Sequence, residues 1–122
     1  MSRDKRARLT NSPEFERVYK RGKAYRGKFF AVHAFPNDAG VARLGLSVSR
    51  KVGTAVVRNA IQRRLREIFH AELRGLNLDL DIVVSARPAA SQASYWELHS
   101  EFLKVLEKIQ KLQNRREGDS AK

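Results

Sequence analysis

The sequence predicts a small α/β domain, and three stretches carry that prediction. Residues 51–70, KVGTAVVRNAIQRRLREIFH, repeat apolar side chains at three- and four-residue spacing, as an amphipathic helix does. Residues 41–49 before them alternate between apolar and small or polar side chains, as a half-buried strand does. Residues 81–86 after them, DIVVSA, form a short continuous apolar run of the kind found in central strands. In chain order these make a strand, helix, strand unit within a small sheet, with helical patterns flanking it toward each end.

The helix in the middle of that unit is the most informative element. At about 100° per residue, Val57, Ile61, Leu65, Ile68 and Phe69 fall on one side. Asn59, Arg63, Arg66 and His70 gather on the other, with Arg58 and Arg64 on the flanks. Any surface helix turns something polar outward, but here only Glu67 offsets the charge. The loop just before adds Arg50 and Lys51 around Gly53, a residue that lets a backbone approach a ligand closely. One side of this helix can be core while the other faces a polyanion.

A chain of 122 residues is most simply one domain, long enough to bury about two-thirds of its unfolded surface around a single core. Twenty-five Lys and Arg against thirteen Asp and Glu leave a formal charge of +12, with a sequence pI near 10.7. An excess of that size in a short chain points first to nucleic acid and second to an anionic membrane surface. No apolar run approaches the roughly 20 residues of a spanning helix, and the first ten residues lack the apolar core of a signal peptide, so a cytoplasmic protein without a membrane partner is expected. The absence of Cys excludes disulfides, thiolate zinc sites and a cysteine nucleophile together.

Residues 1–9 are basic and aperiodic, which suits a flexible arm that orders on a phosphate backbone. Ser12 as N-cap, Pro13 at the first helical position, Glu14 and Glu16 in the first turn and Gly22 as a stop predict a short helix over 13–21. Its apolar side, Phe15, Val18 and Tyr19, reads as the stripe that docks on a sheet. Residues 29–35, FFAVHAF, predict a strand, and the turn cluster at 36–40 leads into the strand at 41–49, so the two pair most simply as a hairpin. In the second strand Ala42, Leu44, Leu46 and Val48 point to the core. Val41, Arg43, Gly45, Ser47 and Ser49 make an opposite face that is small, polar and open enough for a ligand. In the first strand Phe29, Ala31, His33 and Phe35 share one face, and His33 reads most simply as a satisfied surface or core histidine. Gly75 and Asn77 end the central helix, and Arg87-Pro88 ends the last strand. Ser94-x-x-Glu97 is a capping box that opens a core-packing helix through Leu98, Phe102, Val105, Leu106, Ile109 and Leu112. Residues 113–122 are polar without an apolar anchor, and disorder is expected there.

A protein hydrolase needs clustered carboxylates for a metal, paired acids, or a nucleophile with its base. Asp79 and Asp81 are the only close acidic pair outside helices, and at a strand entry they read as turn or ladder-edge residues. His33, His70 and His99 fall in no metal-ligand spacing, and no glycine-rich phosphate loop is present. No catalytic residue, no metal site and no cofactor of the protein's own are therefore expected. Composition and spacing lead as far as an α/β domain that binds nucleic acid with a basic helix.

The run GLSVSRKVGTAVVRNAIQRRLREIF at 45–69 resembles the signature of the bacterial ribonuclease P protein component. So do F-x-x-V-Y from Phe15 to Tyr19 and DIVVSARP at 81–88, and the likeness covers about residues 8 to 110. The resemblance implies a two-layer α/β sandwich whose strand, helix, strand unit makes a left-handed crossover, against the right-handed rule. It implies the accessory subunit of an endoribonuclease whose RNA subunit carries out the magnesium-dependent hydrolysis. The protein would help bind precursor tRNA and remove its 5′ leader, with no obligate protein partner. In the family the arginine- and asparagine-rich helix contacts the catalytic RNA, which maps onto Arg58, Asn59, Arg63 and Arg66, with Arg50 and Lys51 in the preceding loop. The family's cleft between the first helix and the sheet receives the single-stranded leader; there Phe15 and Tyr19 match aromatic positions, and His33 stands where an aromatic is common. Two family cations are replaced, by Ala60 and Gln62, leaving Arg64 to compensate from a neighbouring direction. A ribosome-associated or other structural RNA-binding protein, or a metal-dependent nuclease built on Asp79 and Asp81, are the readings from other classes.

Overall fold

The apolar run at 81–86 becomes the centre of the sheet, as strand Leu80–Ala86 buried through Leu80, Asp81, Ile82, Val83 and Val84. The computed structural model describes residues 13–37, 41–73 and 79–120, with side chains for all of these except 14 and 112–120. In chain order it contains helix α1 (Pro13–Arg21), strands β1 (Lys23–Arg26), β2 (Phe30–Pro36) and β3 (Arg43–Ser47), helix α2 (Ala55–Leu73), strand β4 (Leu80–Ala86) and helix α3 (Tyr95–Ser120). Short 3-10 turns at Arg50–Val52 and Pro88–Gln92 precede α2 and α3. The sheet order is β1-β2-β4-β3, with β3 parallel to β4 and the other pairs antiparallel, which makes β3-α2-β4 the expected strand, helix, strand unit.

The hairpin expected between the strands at 29–35 and 41–49 does not form. β4 is inserted between them, pairing Val32 with Val84 on one side and Leu46 with Val84 on the other. The reason lies in β4 itself: Ile82, Val83 and Val84 are apolar toward both faces and nearly inaccessible, so an edge position would leave them and one row of backbone groups unpaired. The edges go instead to β3 and to β1, a strand that the sequence pattern did not predict. Its four residues, KAYR, are mostly exposed and end in cations, the usual composition of an edge that resists further pairing.

Side chains divide cleanly between the two faces. Phe30, Val32, Ala34, Leu44, Ile82 and Val84 join Ile61, Leu65, Ile68 and Phe69 of α2 and Leu98, Phe102 and Ile109 of α3 in one core. On the opposite face Val18 of α1 packs on Val83, with Phe15 and Phe35 beside them. Gly22 is required where α1 ends, because a Cβ there would stand 2.8 Å from the Ala34 carbonyl oxygen; its N–H closes the helix on Val18 O at 2.8 Å.

Two polar devices fasten this frame. Glu101 of α3 accepts hydrogen bonds from the backbone N–H groups of Lys28 (2.7 Å), Phe29 (2.9 Å) and Phe30 (3.1 Å), tying the β1–β2 turn to the helix. Asp81, only 4% exposed, accepts a two-pronged bond from Arg43 Nε (2.6 Å) and Nη2 (2.7 Å) and a third from Asn37 Nδ2 (2.7 Å). The predicted capping box is present, with Glu97 N–H donating to Ser94 Oγ at 3.1 Å and Ser94 N–H to Glu97 Oε1 at 3.0 Å. That Ser94 N–H, foremost, holds the Glu97 carboxyl below the usual carboxylate range. The helical backbone runs on to Ser120, past Leu112, where disorder was expected from 113 onward. Gln113, Arg115, Arg116 and Glu117 are good helix formers, and no Gly or Pro interrupts them before Gly118. The arm at 1–9, the Ser12 cap and the stop at Gly75 and Asn77 lie outside the described residues.

Replacing Arg43 with Ala leaves the Asp81 carboxylate in the sheet with only Asn37 to match it. The expected cost is about 2 to 4 kcal/mol, discounted because Arg43 keeps some contact with water. Urea denaturation measures it; a loss below about 0.5 kcal/mol would mean that the pair contributes no more than an exposed one.

Candidate nucleic-acid interface

β3 leads through the turn Arg50–Val52 into α2, and this path sets where the cations stand. Val52 is buried and its N–H bonds Ser49 O at 3.1 Å, which turns Arg50 and Lys51 outward. Thr54 then starts the helix: its carbonyl accepts from Arg58 N–H at 2.9 Å and its Oγ1 from Val57 N–H at 3.3 Å. Ile61, Leu65, Ile68, Phe69 and Leu73 are buried, while Asn59, Arg63 and His70 are exposed and Arg58, Arg64 and Arg66 are half-buried on the shoulders. The predicted polar face is thus one connected strip with Arg50 and Lys51 at its start. Within it, the Nε of Arg58 is buried and has no hydrogen-bond partner among the described residues. A guanidinium N–H held dry and unmatched is costly unless an acceptor arrives, and a phosphate oxygen is a suitable one. Ala60 and Gln62 are both half-buried and bring no charge to the strip.

The second surface is the sheet face that α1 only partly covers. Val18 is fully buried there and Phe15 half-buried, but Tyr19, one turn of helix from Phe15, is 53% exposed. Its ring lies 4.8 Å from that of His33 on β2 at an interplanar angle of 32°. His33 is not the satisfied histidine expected: its Nδ1 is buried without a partner among the described residues, and so is the Oγ of Ser85 on β4, two residue pairs along the ladder. Burial first, and then the charge of Arg26, hold the His33 imidazole below its ordinary value. The platform is therefore a pair of rings beside two unfilled polar atoms, with the small residues Gly45 and Ser47 of β3 extending the same face. Sequence reasoning missed Ser85. The available signal was a hydroxyl placed in an otherwise apolar central strand, on the alternation that shares a face with His33.

Asp79 is exposed just before β4, whereas Asp81 is buried within it. Asp81 is committed to Arg43 and Asn37, and among the described residues no group of three or more His, Asp or Glu could hold an ion. Nor is any described helix long and apolar enough to cross a membrane.

Comparison with known proteins gives this geometry a family. Residues 4–110 match the sequence model of ribonuclease P. The ribonuclease P protein component of Lachnoclostridium phytofermentans is 38% identical over 111 residues, spanning 91% of this chain and 95% of its own length. That of Streptococcus pneumoniae is 36% identical over 96% of this chain and 93% of its own. Among solved structures, the RNase P protein of Staphylococcus aureus superposes with a TM-score of 0.77 at 34% identity, covering 84% of this chain and 94% of that one. The protein from Thermotoga maritima does so with a TM-score of 0.74 at 31% identity, over 83% and 96%.

The depressed His33 pKa has a measurable sign. In the pH window below the ordinary value of 6.5 the folded chain binds fewer protons at this site than the unfolded chain. Its contribution to stability is therefore present above that value and is lost as pH falls toward and through the folded pKa. Between about pH 7.5 and pH 5 the protein should lose more stability in urea than His33→Phe, which keeps a ring against Tyr19 but cannot titrate. Parallel pH profiles for the two proteins would contradict this environment for His33.

Proposed function

The chain belongs to the ribonuclease P protein family, whose members are protein components of an endoribonuclease that processes tRNA, and on that premise we propose how its two surfaces divide the work. The strip formed by Arg50, Lys51, Arg58, Asn59, Arg63, Arg64 and Arg66 binds the RNA subunit of the ribonucleoprotein. The face holding Tyr19, His33 and the edge of Phe15 receives the single-stranded 5′ leader of precursor tRNA. Hydrolysis, with its Mg2+, belongs to the RNA subunit; the protein supplies affinity and position for a substrate that is cut elsewhere. This reading puts the protein in the cytoplasm and asks for no protein partner.

The observation that carries the proposal is the Tyr19–His33 ring pair beside the unpartnered Nδ1 of His33 and Oγ of Ser85. Exposed rings stack on unpaired bases and gain little from a helix whose bases are already stacked. Unfilled polar atoms next to them match base edges or ribose hydroxyls, which only a single strand presents freely. The α2 strip is the chemical complement: charged, without aromatics, and suited to the phosphate backbone of a folded RNA irrespective of sequence. Ala60 and Gln62 shorten the strip, so Arg64 on its shoulder takes a larger share of the phosphate contacts.

Different variants should therefore fail differently. In the reconstituted holoenzyme, Tyr19→Ala should weaken precursor tRNA binding by about 1 to 3 kcal/mol, roughly 5- to 150-fold, and spare mature tRNA, which has no leader. Arg63→Ala should weaken binding to the RNA subunit whether or not a leader is present. With about four to six phosphates neutralised, log K should fall against log[salt] with a slope of about −3 to −5, and Arg63→Ala should flatten it by a little under one unit. Tyr19 is exposed, so thermal melts of its variant should stay near those of the parent. A folded Tyr19→Ala protein that binds precursor and mature tRNA with an unchanged ratio removes the leader from this face.

A further inference from the structure

On the far side of the sheet from α1, the β1–β2 turn and the first turns of α3 enclose an open groove of about 430 Å3 that neither proposed surface uses. Trp96, the chain's one tryptophan, forms a wall of it and is 71% exposed, an unusual state for the largest apolar side chain. Two rings adjoin it: Tyr95 meets it edge-on at 5.1 Å and His99 lies 5.9 Å away, with His99 Nε2 itself 3.4 Å from Glu72 of α2. Ser100 and Lys104 follow Trp96 at four-residue steps along α3, and Lys28 joins the lining from the β1–β2 turn. Lys28 Nζ lies 5.3 Å from the centre of the Phe29 ring, and Lys104 has no ion pair among the described residues.

Two carboxylates also line the groove, and both are engaged by backbone donors. Glu101 is taken up by the N–H groups of Lys28, Phe29 and Phe30, and Glu97 Oε1 by that of Ser94. Glu97 keeps its second oxygen, which can accept from the exocyclic amino group of a base. What the groove then offers is an exposed aromatic face, two ammonium groups balanced by two carboxylates, a hydroxyl and the free oxygen of Glu97. That combination matches a base, its two flanking phosphates and a ribose. A double helix has no free base to lay on Trp96.

We infer that this groove is a further single-stranded RNA site, in which an unpaired nucleotide stacks its base on Trp96 and places its phosphates at Lys28 and Lys104. It lies across the sheet from the Tyr19–His33 face and shares no residue with it or with the α2 strip. A strand bound at one surface therefore leaves this one open, and the protein can hold two single-stranded segments at once.

Because Trp96 is the only tryptophan, its fluorescence reports on this groove directly. Titrating the full chain with a single-stranded RNA pentamer should quench the emission saturably, since a stacked base quenches an indole. Lys104→Ala should raise the dissociation constant read from quenching by roughly three- to ten-fold, the loss of one phosphate contact. Tyr19→Ala and Arg63→Ala should leave that quenching constant unchanged, which separates this site from the two proposed above. Three results would overturn the inference: no quenching at RNA concentrations that saturate total binding, quenching that Lys104→Ala does not alter, or an emission change that follows protein concentration without RNA. The last would assign the groove to a second copy of the chain.

Discussion

A single buried carboxylate organises the end of the sheet from which the rest is aligned. Asp81 sits almost dry at the start of β4, and a charge in that position is tolerated only if its acceptors are filled. Arg43 at the start of β3 supplies two donors in a planar fork, and Asn37, just past β2, supplies a third while also donating to Val41 O at 3.1 Å. Three strands are thereby fixed to one another at one end. The pairing of Arg43 with Asp81 sets the register of the parallel ladder, which puts Gly45 beside Val83 and Ser47 beside Ser85. A slip by one residue would turn Leu44 and Leu46 onto the α1 face and the charged Arg43 into the core.

That alignment separates two chemistries on opposite sides of a thin sheet. One side is closed by α2 and α3 over a continuous apolar core, and it leaves the outer faces of those two helices to the solvent. The other is closed by a nine-residue helix that covers Val83 and little else, so that Tyr19, His33 and Ser85 share a face the protein does not fill. The shortness of α1 is itself a consequence of sequence, because Gly22 stops the helix where its end presses on β2. A longer α1 would cover the face and remove the surface assigned to the leader.

Much of this was legible locally. Ile82-Val83-Val84 announces a strand buried on both sides, Ser94 and Glu97 announce a helix start, and the spacing from Ile61 to Phe69 announces which side of α2 is core. The polar strip of α2 followed from the same period, and the aromatic positions on α1 and β2 from the family resemblance. What failed was non-local. Two adjacent strands separated by a turn cluster look like a hairpin until a third, more apolar strand forty residues on takes the place between them. β1 has too few residues and too many cations to carry a pattern. The unpartnered Arg58 Nε, His33 Nδ1 and Ser85 Oγ, and the groove under Trp96, exist only once distant segments meet, so no periodicity could show them.

On the proposed reading the protein contributes binding surfaces, and the RNA subunit carries the hydrolysis. The most direct measurement is cleavage of precursor tRNA by the purified protein, with and without the RNA subunit, across a magnesium titration. The protein alone should leave the substrate intact, and adding it to the RNA subunit should raise 5′ leader removal most at low magnesium, where phosphate repulsion is least screened. Cleavage by the protein alone, abolished by chelation and by Asp79→Ala together with Asp81→Ala in a folded variant, would contradict it.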